Sequence, residues 1–248
     1  MQLRDLAERE DLVQFRHADQ IWRDFPNLVP CALAADGIAS GVSASSRITR
    51  FTEVADRRLA AGPEGEFPEI QAWRRTFSVM GLKPTQYRCA AESLLRRYRK
   101  EGSLPQVHPL IDVCNAISLA FAIPVAVFDT SRIIGDLVVR YADGSERYLT
   151  FAGEEEHPQP HEVIFADAAG RAHARRWTNR QSSQSAVRDE TTAVLIVAEG
   201  LHQTAPADVQ RVMEAIAEEI NALWQTTPTL ALLSKSSRRF EFTAPNHQ

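Results

Sequence analysis

The stretch that most constrains this chain is residues 107–135, Val-His-Pro-Leu-Ile-Asp-Val-Cys-Asn-Ala-Ile-Ser-Leu-Ala-Phe-Ala-Ile-Pro-Val-Ala-Val-Phe-Asp-Thr-Ser-Arg-Ile-Ile-Gly. Pro109 suits a first helical turn, and Leu110, Val113, Ile117 and Phe121 recur at helical spacing, so a buried helix opens here and must end at Ile123-Pro124. Residues 125–128 then read as a short apolar strand. Asp112 and Asn115 sit on one face of that helix, and burying either without a hydrogen-bond partner costs roughly 1–3 kcal/mol. They need partners, either backbone groups or a ligand.

A chain of 248 residues can bury a large core, and its net charge of −4 leaves nucleic-acid binding to a local patch. Cys31, Cys89 and Cys114 are odd in number and far apart, which favours buried thiols in a reducing compartment over disulfides or a zinc cluster. No apolar run approaches the roughly 18 residues of a membrane span, and the acidic, polar N-terminus does not resemble a signal peptide. A cytoplasmic protein with no membrane partner is expected.

Along the chain, an arm is expected over 1–28, a strand over 28–34 and a helix over 44–61 with Arg47, Arg50, Arg57 and Arg58 exposed. A helix over 86–101, capped by Thr85 and stopped by Gly102, carries Arg88, Arg96, Arg97, Arg99 and Lys100. Those cations, with Tyr98, suit either a solvated face or contact with an RNA backbone. Asp143-Gly144 signals a hairpin between strands 137–141 and 147–151, and Gly170 a turn between 162–166 and 172–177. In the acidic loop 154–161, Pro158 and Pro160 prevent the helix that would align His157 with His161, so no metal site is read there. Residues 191–198 form a core strand, 199–200 a turn, and Thr204 caps a helix with an apolar stripe from Val209 to Trp224. Short strands at 230–233 and 239–242 close the chain, with a frayed tail after them.

Loop 175–190 is dense in hydrogen-bonding side chains, and its Trp177, Asn179 and four arginines suit stacking an adenosine and holding phosphate. Ser182 or Ser183 with His173 and Asp189 makes a triad on paper, discounted because no nucleophile-elbow glycines flank either serine.

Several of these motifs occur together in one known family. Asp112-Val113-x-Asn115, Pro124-x-x-x-Phe128-Asp129, Ile134-Gly135, the run from Glu162 to Gly170 and Asp189-Glu190-Thr191-Thr192-x-Val194-Leu195 resemble the B3/B4 domain of the bacterial phenylalanyl-tRNA synthetase beta subunit. Freestanding B3/B4 tRNA-binding domain proteins are similar too, sharing the tract from Pro84-Thr85 to Arg97. The resemblance covers about 77–198 and implies a mixed α/β (α+β) fold: a mixed β-sheet with packed helices, a core over 77–200 and extensions over 1–76 and 201–248 completing one globule.

In the synthetases this domain hydrolyses the ester of misacylated tRNA. The resemblance therefore implies a trans-acting aminoacyl-tRNA deacylase that takes the charged 3′ end of a tRNA and needs no metal or cofactor. Its cavity would be walled by the central helix, residues 125–129 and loop 177–185. Candidate catalytic residues are Asn179, Arg180, Ser182, Glu190 and His108. Trp177, Thr178, Gln181, Ser183, Asp112, Asn115, Ala126 and Phe128 are the candidate substrate-binding residues. Arg88, Arg96, Arg97, Arg99, Lys100, Arg175 and Arg176 are the candidate RNA contacts. Two departures stand out: Ala126 occupies the family's imidazole position, and the family's acid falls among 181–184, which hold only Gln and Ser. A noncatalytic RNA-binding module and a small-molecule amino-acid or nucleotide sensor are the alternatives.

Overall fold

A computed structural model of the protein describes residues 12–243; the first eleven residues of the expected arm, and the expected frayed tail past Thr243, lie outside them. In chain order the elements are β1 (Leu12–His17), α1 (Asp19–Asp24), β2 (Val29–Ala35), α2 (Ser45–Ala61), α3 (Pro68–Val79), α4 (Ala90–Glu101), α5 (Pro109–Phe121) and β3 (Val125–Asp129). There follow β4 (Leu137–Tyr141), β5 (Tyr148–Leu149), β6 (Glu155–Glu156), β7 (Val163–Ala166), β8 (Ala172–Arg175), β9 (Arg180–Gln181), β10 (Val194–Gly200), α6 (Ala205–Trp224), β11 (Thr229–Leu232) and β12 (Arg239–Thr243). This is a mixed α/β fold, as the sequence leads one to expect.

The strands form a six-stranded sheet ordered β12-β1-β4-β7-β8-β9, a four-stranded sheet ordered β11-β2-β10-β3, and the small β5-β6 pair. Apart from the parallel β1-β4 pair, the ladders are antiparallel. Strand alternation makes the four-stranded sheet the middle layer. Phe128, Leu195 and Val197 pack toward Phe15, Val139 and Phe165 of the larger sheet. Their neighbours Val127, Val194 and Ile196 face the other way, onto Leu110, Val113 and Ile117 of α5 and Val212, Met213 and Ile216 of α6. Both terminal segments supply strands: β1 pairs with β12, and β11 with β2.

The central helix is bounded as its sequence dictates. His108 caps it by accepting the Leu110 N–H at Nδ1 (3.2 Å), Pro109 opens the first turn, and Ala122 leaves it at φ +56° ahead of Pro124. Gly102 ends α4 at φ +72°, and Gly170 turns β7 into β8 at φ +71°.

Three expectations are corrected. First, α4 starts at Ala90 rather than near 86, and its cap is Cys89, whose Sγ accepts from the Glu92 N–H, not Thr85. The preceding segment is held out of the helix because the Arg88 carbonyl accepts from Asn179 and the Ala90 N–H donates to the Thr178 carbonyl. Second, the Asp143-Gly144 hairpin does not form. Buried Glu146 accepts from the backbone N–H groups of Asp143 and Gly144 and from Arg140, closing the turn around a side chain; β4 then pairs with β7, and β5 with β6. Third, residues 199–200 are the end of β10, not a turn.

Candidate functional site

Where β8 ends, Arg176 and Trp177 adopt φ values of +47° and +59°, a conformation that costs roughly 1–2 kcal/mol for each non-glycine residue. Core packing offsets it. Trp177 is fully buried, edge-on to Trp73 (5.2 Å) and Phe25 (4.8 Å), and its indole N–H donates to Glu199 Oε2 at 2.9 Å. The reversal swings 178–181 over the end of β3, and the two segments enclose a recess between the sheets of about 400 Å³ counted to its mouth. Residues 124–126 form one side and 177–181 the other, with Phe165, Ala174, Val197 and Glu199 beneath.

The loop is anchored on both flanks. Asn179 Nδ2 donates to the Arg88 carbonyl (2.7 Å), and Gln181 Nε2 donates to the Val127 carbonyl (2.5 Å), answering an open edge of β3. Arg180 pairs with Glu156 at 3.2 Å and lies over the Tyr148 ring. Two polar groups complete the lining: the Thr178 hydroxyl, buried without a protein partner, and the Glu199 carboxylate, whose Oε1 meets His17 Nε2 at 2.6 Å. Such a recess presents apolar walls, an acid below, and a cation with amide groups at the rim.

Of the residues expected in one cavity, Trp177, Thr178, Asn179, Arg180, Gln181 and Ala126 meet here. Trp177 lies in the core rather than on a surface where a base could stack. Phe128 is core, 5.4 Å from Phe165. Ser182 and Ser183 are buried, with their hydroxyls donated to the carbonyls of Leu149 (2.9 Å) and Thr150 (2.8 Å). Glu190 is exposed, 3.7 Å from Arg132. The central helix is not a wall of this recess, because α5 packs on the opposite face of the middle sheet from Val197.

Asp112 and Asn115 line a different recess of about 600 Å³, with Thr52, Tyr98 and loop 102–106. Asp112 accepts the Val107 N–H at 2.9 Å, and Asn115 has no protein partner among the described residues. His108 stays in its capping role; burial lowers its pKa, against the pull of Asp189 and Asp112.

The arginines are largely committed to internal acids. Arg96 and Arg99 pair with buried Glu64, Arg97 with Glu101 and Arg88 with Glu92, while Lys100 makes no ion pair among the described residues. Tyr98 is buried. Arg175, also buried, holds Glu162 (2.9 Å) and Glu156 (2.5 Å), and Arg176 lies 4.7 Å over the Tyr87 ring. On α2, Arg47 and Arg50 clamp buried Glu219, and Arg58 holds Glu69.

Sequence reading missed two features. Glu199 is one: a charged residue closing the apolar run Val194-Leu195-Ile196-Val197-Ala198 was the available signal. The other is the partnership of His173, which bonds Ser185 Oγ at Nδ1 (2.8 Å) and Asp167 Oδ2 at Nε2 (3.1 Å), rather than Ser182 or Ser183 and Asp189. All three groups are buried, so this network stitches β8 to the loop. Burial drives the His173 pKa down; Asp167, though buried, is held well below the carboxylate range by His173 and Arg171.

His157 is used on the Glu146 carbonyl. Among the described residues one group with metal-ligand atoms within 4.8 Å occurs, Glu69, His202 and Asp208. Arg58 takes both oxygens of Glu69 and Arg211 pairs with Asp208, so an ion would have to displace two guanidinium groups. No helix among the described residues is long and apolar enough to cross a membrane.

A family model described as the B3/4 domain matches residues 72–227. The phenylalanine–tRNA ligase beta subunit of Photorhabdus laumondii is 23% identical over 145 residues, covering 57% of this chain and 18% of that subunit. Its counterpart from Novosphingobium aromaticivorans is 30% identical over 123 residues, covering 50% of this chain and 15% of that subunit. The matched region thus spans less than a fifth of either relative. Among solved structures, an N-terminal fragment of the phenylalanyl-tRNA synthetase beta-subunit from Pyrococcus horikoshii aligns with a TM-score of 0.47 and 9% identity, covering 89% of this chain and 54% of that one.

Proposed function

The chain belongs to the B3/4 domain family, and from that premise we propose that it is an aminoacyl-tRNA deacylase acting in trans on mischarged tRNA. The observation that carries this reading is the convergence of 177–181 with 124–126 on one preformed recess. The aminoacyl group enters that recess while the tRNA remains outside.

Water attacks the ester carbonyl, the bond from carbonyl carbon to ribose oxygen breaks, and the ribose hydroxyl leaves with a proton. The unpartnered Thr178 hydroxyl orients the water. The Arg180 guanidinium and the second N–H of the Asn179 amide stabilise the developing oxyanion, a role in which one lost donor typically costs about 100- to 1000-fold in rate. Ala126 leaves open the space in which the resembling synthetases carry an imidazole.

A second reading, a noncatalytic tRNA-binding module, draws on the recess having no imidazole of its own, and on Ser182 and Ser183 being tied to carbonyls. Multiple-turnover assays with a panel of mischarged tRNAs at pH near 7 separate the two. A deacylase releases many amino acids per protein and loses turnover in Asn179→Ala. A binder releases none and shifts tRNA in a gel with marked salt dependence.

A further inference from the structure

Eight carboxylates are buried among the described residues: Glu64, Glu92, Asp129, Glu146, Asp167, Glu199, Asp208 and Glu219. An ionised group out of water needs a compensating charge or a full set of donors. Six of the eight face guanidinium groups: Glu64 faces Arg96 and Arg99, Glu92 faces Arg74 and Arg88, Glu146 faces Arg140, Asp167 faces Arg171, Asp208 faces Arg211, and Glu219 faces Arg47 and Arg50. Asp129 has three neutral donors instead, the Ser131 N–H (2.9 Å), the Ser131 hydroxyl (2.6 Å) and the Thr191 hydroxyl (2.7 Å).

Glu199 faces no guanidinium and has only two donors, and an imidazole is the one group beside it that can carry positive charge. Its partners are the Trp177 indole N–H and the His17 imidazole, one on each oxygen, and it borders the recess. A carboxylate offers about four lone-pair sites, so two remain for a ligand. The surroundings say which end of a ligand arrives there. Val125, Ala126, Ala174 and Val197 accept an apolar side chain, and Arg180, paired with Glu156, stands at the rim.

We infer that Glu199 receives the free α-ammonium group of the aminoacyl ester, so that this recess selects substrates with an unblocked amino terminus. The inference rests on the deacylase reading for the identity of the ester. The selectivity for a cationic head group follows from a buried acid that has no guanidinium partner and keeps two lone-pair sites open.

The test titrates the full chain with two non-hydrolysable conjugates, 3′-valylamino-3′-deoxyadenosine and its isovaleryl counterpart, which lacks only the amine. Valinamide and isovaleramide supply the same contrast without the nucleoside. The valyl conjugate binds at least about tenfold tighter than the isovaleryl one, the scale of one charge-assisted hydrogen bond, and Glu199→Gln brings the two within about twofold. Equal binding of both conjugates to the wild-type chain overturns the Glu199 assignment and leaves the tRNA-terminus reading standing, as does an undiminished preference in Glu199→Gln. A preference for valinamide with no gain from the adenosine does the reverse. If none of the four binds, both fall. If Glu199→Gln does not fold, Glu199→Asp, which keeps the charge but draws it back from the recess, must narrow the ratio in its place, and an unchanged ratio overturns the assignment.

Discussion

The molecule has two recesses holding polar residues picked out by the sequence, of about 400 Å³ between the sheets and about 600 Å³ in the helical layer, and they are built differently. The one between the sheets is bounded by strand ends and by a loop whose Asn179, Arg180 and Gln181 each hold a partner outside the loop. The one in the helical layer is roofed by loop 102–106, mostly exposed, and Asp112 ties down the end of that roof with one bond to the Val107 N–H. Catalytic groups must be held near productive geometry by a second set of contacts, and only the first recess supplies them. A polar residue on an apolar helix therefore marks a place that needs a partner, and the partner need not be a substrate.

Filling each recess in turn should give the largest contrast. Ala126→Phe puts a ring into the space between 124–126 and 177–181 and should lower kcat/KM for mischarged tRNA at least about 100-fold, as expected when a reacting group is displaced by an ångström or more. Ser103→Phe fills the helical recess from its exposed loop and should leave the rate within about twofold. Equal losses in both variants would show that the chemistry does not distinguish the two.

Stability should separate the recesses as well. Trp177→Phe deletes one of the two donors to buried Glu199 and should cost about 1–3 kcal/mol in urea denaturation, beyond the indole's own packing. Asp112→Ala removes one partly exposed bond near a helix start and should cost about 0.5–1 kcal/mol. The reverse order would mean that the rigid floor lies in the helical layer.

What the sequence disclosed follows the same division. α5, its proline boundaries and the β7-β8 turn were legible because helical period, Pro geometry and a positive-φ glycine are local properties. The recess was legible in part, since 177–181 and Ala126 do meet. Features set by distant partners were not. Nothing local says that Glu146 will gather the 143–146 turn, that the Arg88 carbonyl will hold residues before 90 out of a helix, or that Trp177 will enter the core at positive φ. Nor does anything local say that Arg96 and Arg99 of α4 will share Glu64, an acid from elsewhere in the chain.

The arginine face of α4 yields a smaller contrast. Arg96→Glu sets a carboxylate against buried Glu64 and should cost about 1 kcal/mol or more of stability. Lys100→Glu, at a position with no ion pair among the described residues, should leave stability within about 0.5 kcal/mol. If α4 touches the RNA backbone, that second variant also lowers the salt slope of tRNA binding by about one. An unchanged slope would leave α4 as ordinary surface.

The smallest expected effect concerns two of the four buried histidines, His108 beside the helical layer and His173 beside the sheets. Burial lowers both pKa values, and nearby carboxylates oppose it in each case, Asp189 and Asp112 for His108 and Asp167 for His173. A histidine whose folded pKa lies below its unfolded value, about 6.5, binds protons more readily in the unfolded chain. Its stabilising contribution is therefore present above that pH and is lost as pH falls. For His108 the bonding adds to the effect of burial: Nδ1 accepts the Leu110 N–H, so the neutral ring carries its proton on Nε2, and a second proton has only Nδ1 to go to, where it breaks the capping bond. Asparagine caps as well as histidine and carries no titratable proton, so His108→Asn should match the wild-type Tm at pH 7.5 and lose less of it by pH 5.5. Part of the remaining acid sensitivity would then come from His173, whose imidazole bridges Ser185 and Asp167 on the sheet side. Identical Tm losses in the two proteins would remove His108 from the acid response.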